Sequence, residues 1–117
     1  MSTDVLRYEG PEDRSRREIE ELLQSDDPAK IVSALLSATF YEPDWRWVQN
    51  KCWRFLEHSN SDVRRAAAMF LGELAVFHGQ LDLEVVLPAL YKASQDPAIK
   101  PTVEDSLEDI RLCVKVQ

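Results

Sequence analysis

The 117-residue chain is poor in the residues that build most small chemical motifs: it has three glycines, two cysteines and two histidines. Gly10, Gly72 and Gly79 stand far apart, so no glycine-rich loop is present to cradle a phosphate. Cys52 and Cys113 fall at apolar positions of helical patterns and read as free buried thiols. A structural disulfide is not expected of them in a reducing compartment, and no Cys/His cluster has zinc-ligand spacing. His58 and His78 each close a helical pattern, where the helix dipole favours a cation. No uninterrupted apolar run approaches the roughly 18 residues that span a bilayer. Met1–Arg7 lack an apolar signal region, so the expected setting is the cytoplasm with no membrane contact. No alternating run is long enough to suggest a strand.

Positive charge is also scarce. Fourteen Lys and Arg face 21 Asp and Glu, a net charge of −7. The acids concentrate at the two ends: residues 1–27 carry nine acids and four arginines, and residues 79–117 seven acids and four bases. Binding to a phosphate backbone needs clustered cations that release counterions, so nucleic acid is not an expected partner. A basic protein partner fits this balance through steering and complementarity, and solubility alone fits it too.

What the chain does have is helical periodicity. Residues 1–14 are polar, contain Gly10-Pro11 and read as a flexible N-terminal tail. Residues 15–117 read as one helical domain. A first helix from Ser15 carries Ile19, Leu22 and Leu23 on one face. Asp27-Pro28 supplies a cap and a first-turn proline for a second, with Ile31, Val32, Leu35 and Leu36 inward. A third, from Asp44 to about His58, places Trp45, Val48, Cys52, Phe55 and Leu56 on one stripe. The fourth follows Ser59-Asn60-Ser61-Asp62, with Asp62 at the cap, and stops at Gly79. Val63, Ala66, Ala67, Phe70, Leu74 and Phe77 form its main stripe, but Met69, Gly72, Ala75 and Val76 leave the other side small or apolar. A helix apolar most of the way round belongs at the centre, and Gly72 implies close approach by a neighbour. Asp82 opens the fifth helix, whose pattern contains Pro88. The sixth carries Val103, Leu107, Ile110 and Val114.

The last two helix pairs repeat. Val63 aligns with Ile99, Arg64 with Lys100, Ala67 with Val103, Leu71 with Leu107 and Leu74 with Ile110, at a constant offset of 36 residues. A period in the thirties marks stacked helix pairs. The segment Asn60, Val63, Arg64, Ala67, Leu71, Leu74 resembles the second helix of a HEAT-type (armadillo-like) repeat. Asp96, Pro97, Ile99, Lys100, Val103, Leu107 and Ile110 resemble it less closely, with Pro101 and Thr102 departing from the pattern. Asp27-Pro28 is a faint third echo. The resemblance covers roughly residues 16–114. It implies an all-α fold, a right-handed α-α superhelix of three HEAT-like helix pairs and about six helices. It also implies that Arg64 and Lys100 pair with acids of the adjacent repeat.

Such repeats bind more often than they catalyse. The expected function is a non-enzymatic protein-interaction module without metal or cofactor, a monomer or weak homodimer. By analogy of size and acidity, its sharper form is an immunity protein that neutralises a basic toxin. An enzyme subunit of the bilin-lyase type is the alternative that the resemblance leaves open. The candidate partner-binding residues are those the repeat does not require. Trp47 and Trp53 lie beside Arg46 and Arg54, the composition of a binding hot spot, or else they pack on the first helix pair or the N-terminal tail. The acids Glu104, Asp105, Glu108 and Asp109 fall in i,i+4 like-charge pairs that repel, which a basic partner or simple solvation would relieve. They lack the Glu-x-x-His element of a di-metal bundle.

Overall fold

The computed structural model describes residues 11–115, and among these it contains six α-helices and no strand. They are α1 (Arg16–Leu23), α2 (Pro28–Tyr41), α3 (Trp45–Phe55), α4 (Ser61–His78), α5 (Leu83–Ala93) and α6 (Lys100–Cys113). Residues 1–10 of the expected tail lie outside the described residues. Arg14, at its end, is held: its guanidinium donates to Ser33 Oγ at 2.8 Å and Ser37 Oγ at 3.0 Å on α2.

Helices α1 to α4 begin where a side chain satisfies some of the free amides of the first turn, whereas α5 and α6 begin without a side-chain cap. Ser15 and Glu18 form a reciprocal capping box on α1, and Asp27 accepts from Ala29 N with Pro28 following it in α2. For α4 the cap is Asn60, whose carboxamide oxygen accepts from the amides of Asp62 and Val63. Asp62, expected at that cap, sits in the first turn and pairs with Arg65 at 2.7 Å. Gly79 ends α4 in the left-handed region at φ 66°, as a C-terminal glycine does. Pro88 lies inside α5 without delaying its start.

Helices α2, α4 and α6 lie side by side with α4 in the middle, and α1, α3 and α5 back them. The core is one cluster that includes Ile19, Leu35, Val48, Cys52, Val63, Ala67, Leu71, Leu74, Val86, Leu90, Val103 and Ile110. The apolar positions aligned by the 36-residue offset are buried in both helices, except Leu107, which is half-buried. Close packing of α4 on α6 depends on Gly72. A Cβ there would lie 2.8 Å from Ser106 Oγ and 3.0 Å from Ser106 Cα, and Ser106 Oγ itself donates to the Ala68 carbonyl at 2.7 Å.

Arg64 stitches two turns together. Its guanidinium donates to the carbonyls of His58 and Ser59 and to Asp96, on the turn before α6. That is the expected pairing with an adjacent acid. Lys100 instead pairs within its own helix, 3.2 Å from Glu104.

Candidate functional site: two faces of a helical stack

The eight candidate residues separate into two groups on different helices. The first group belongs to α3. Trp47 is half-buried against the core, with the Arg16 guanidinium 4.8 Å and the Lys51 ammonium 5.0 Å from its ring centre. Lys51 is itself buried and pairs with Glu20 of α1 at 2.6 Å, while Arg16 pairs with Glu42 and Asp44. Trp47 therefore joins α1 to α3, the packing alternative for this residue. The Arg16 guanidinium holds the Glu42 carboxyl below the usual carboxylate range. At Asp44 the Trp47 amide does so first, helped by Arg16.

Arg46 is also engaged. It stacks on Trp45 at 4.6 Å and makes a two-point contact with Asp82, both at 2.9 Å. The fully buried Gln49 completes this clasp: its Nε2 donates to Asp82 Oδ2 at 2.9 Å, and its Oε1 accepts from the Asp82 amide at 2.7 Å. Asp82 thus does not cap α5 with its side chain, as its position suggested. Its carboxylate ties α5 to α3, and Arg46 followed by Gln49 hold its pKa down to about 2. Cys52 is wholly buried nearby, and desolvation pushes its thiol up to about 12, so it is an inert core thiol.

Trp53 and Arg54 face outward. Trp53 is 46% exposed and lines a groove of about 310 Å³ between α3 and the α5–α6 turn. Leu56, Ala89 and Ala93 form its apolar wall, and Arg54, Glu57, Lys92 and Asp96 line it too. Its charges are mixed, and Lys92 and Glu57 pair across it at 3.4 Å.

The second group lies on α6. Glu104 is taken by Lys100, and Glu108 by Arg111 at 2.6 Å, so the repulsion expected between these two is compensated within the helix, while that between Asp105 and Asp109 is not. Asp105 is exposed and Asp109 half-buried. Neither has a basic partner among the described residues.

Sequence reasoning did not single out the apolar surface beside these acids. Phe77, expected in the buried stripe of α4, is 46% exposed and meets the equally exposed Phe40 of α2 edge-to-face, with ring centres 5.1 Å apart. Val76 and Met69 are 50% and 43% exposed, and Tyr41 adjoins Phe40. Met69 and Val76 are seven residues apart and share a helix face with Glu73. The breadth of the apolar pattern on α4 was the available signal; it was absorbed into the expectation of burial. No group of three or more His, Cys, Asp or Glu able to hold a metal occurs among the described residues. No described helix is long and apolar enough to cross a membrane.

No protein-family model matches the chain, and a search of curated proteins returns no match. Among solved structures, it is similar to one chain of a CDI complex from Cupriavidus taiwanensis, with 28% identity and a TM-score of 0.82. The match covers 92% of this chain and 96% of that one.

Proposed function

We propose that this chain is the immunity member of a contact-dependent inhibition pair, a non-enzymatic protein that acts in the cytoplasm by binding and neutralising a cognate toxin. The observation that carries this reading is the end-to-end match to a chain crystallised as part of a CDI complex. Three features of the chain support it. The buried Gln49 and Lys51 and the half-buried Arg64 are committed to ion pairs and inter-helix clasps. The net charge of −7 suits a basic partner. Stacked helix pairs of the HEAT-like kind present broad faces suited to binding.

The test is co-expression. The toxin domain encoded beside this chain's gene is induced in a bacterial host, alone or with the full-length chain. Growth should stop in the first case and resume in the second, and the two proteins should co-purify in a fixed ratio. Continued growth arrest, with no complex recovered at physiological salt, would sink the reading.

A further inference from the structure

Resting on that reading, we infer that the toxin docks on the α2–α4–α6 face, through apolar side chains seated on Phe40, Phe77, Val76 and Met69 and Lys or Arg side chains facing Glu73, Asp105 and Asp109. The inference turns on the different condition of the two faces. On the α1–α3–α5 face most of the charged groups are paired within the fold: Arg46 with Asp82, Lys51 with Glu20, Arg16 with Glu42 and Asp44, Lys92 with Glu57. Arg54 and Glu84, of opposite sign, are without an ion pair among the described residues. On the opposite face, Glu73, Asp105 and Asp109 have no basic partner among the described residues.

Those acids lie beside the apolar ridge. Ser106 packs opposite Gly72, and Gly79 lies against the Cys113 carbonyl, an offset of 34 residues at both points. Helices α4 and α6 therefore run parallel and in step. Asp105 is level with Leu71 and Asp109 with Ala75, alongside Glu73 and Val76. The ridge itself is contiguous across α2 and α4, since the Phe40 and Phe77 rings touch. Scattered apolar residues are normal on a surface, but a joined aromatic and aliphatic patch rimmed by carboxylates marks an interaction site. Central apolar anchors with a charged rim are the usual anatomy of a specific interface. The sign of the rim fixes the chemistry of the occupant: apolar anchors flanked by cations.

The experiment measures binding of the purified toxin domain to the full-length chain and its variants by calorimetry, with thermal melts confirming that each variant is folded. Val76→Arg and Phe77→Ala should each weaken binding by roughly 30-fold or more. Asp105→Lys/Asp109→Lys should weaken it roughly tenfold, and Trp53→Ala should leave it within a factor of two. If wild-type protein binds, the ridge and acid variants bind equally well and Trp53→Ala alone loses affinity, the docking face is wrong while the immunity reading stands. If wild-type protein does not bind at all, the immunity reading fails first. A wild-type dimer at micromolar concentration that Val76→Arg dissociates would assign the ridge to a second copy of the chain and overturn the proposal.

Discussion

Single residues set the tolerances of this stack, and Gly72 sets the tightest. In a helix interior glycine costs about 1 kcal/mol relative to alanine, so Gly72→Ala would stabilise α4 if space allowed. It does not: the new Cβ meets the backbone of Ser106 at 3.0 Å as well as its hydroxyl at 2.8 Å. Rotating the serine relieves only the second contact and sacrifices its hydrogen bond to Ala68. Overpacking of this kind costs about 1–3 kcal/mol. Set against the propensity gain, Gly72→Ala should destabilise the protein by about 1 kcal/mol, the middle of a net range of roughly 0–2 kcal/mol, read as a lower urea midpoint with unchanged slope. An unchanged or raised midpoint would show that α6 shifts freely. Ser106→Ala, which loses the hydrogen bond without adding bulk, should cost about 1 kcal/mol.

At the scale of elements, the odd-numbered helices are joined by polar clasps, and the clasp at Asp82 is sensitive to acid. Folding lowers its pKa from 3.8 to about 2, chiefly through Arg46 and then Gln49. A carboxylate depressed in this way stabilises the fold above its unfolded value near 4 and loses that contribution as the pH falls toward 2. Asp82→Asn should therefore be less stable than wild type at pH 7, by about 0.5–1 kcal/mol for so exposed a pair. The gap should close between about pH 4 and pH 2 in urea titrations. A gap independent of pH would assign the loss to hydrogen bonding alone.

This clasp also shows what the sequence could and could not convey. Helix number, most boundaries and the core stripes follow from periodicity and caps, because burial and local amide chemistry repeat along the chain. The 36-residue offset places Val63 and Ile99, and likewise Leu74 and Ile110, at matching buried positions. What Gln49, Asp82 and Trp47 touch depends on how one helix pair sits on the next, and nothing in their neighbours specifies it. Phe77 misled for the same reason. Its place on the wheel is apolar, but on that side of α4 it meets the ring of Phe40, itself exposed, and stays 46% exposed.

At the scale of the whole molecule, charge and apolar surface are separated in a way that divides affinity from speed. In the proposed complex the apolar ridge would supply the contacts that hold the toxin, whereas the net charge of −7 would act at a distance. Long-range attraction raises the association rate and is screened once the Debye length, about 8 Å at physiological salt, falls below the approach distance. Dissociation responds mainly to contacts already made. For the wild-type chain and a basic toxin, raising salt from about 20 mM to 300 mM should cut the association rate roughly tenfold and change the dissociation rate little, as read by stopped-flow fluorescence. Asp105→Lys/Asp109→Lys should flatten that salt dependence, because it removes two negative charges beside the docking face and adds two positive ones. Val76→Arg should leave most of the salt dependence in place and instead speed dissociation, because what it chiefly removes is an anchor. A variant set in which all effects fall on one rate would mean that the ridge and the acids do not act as separable parts of one surface.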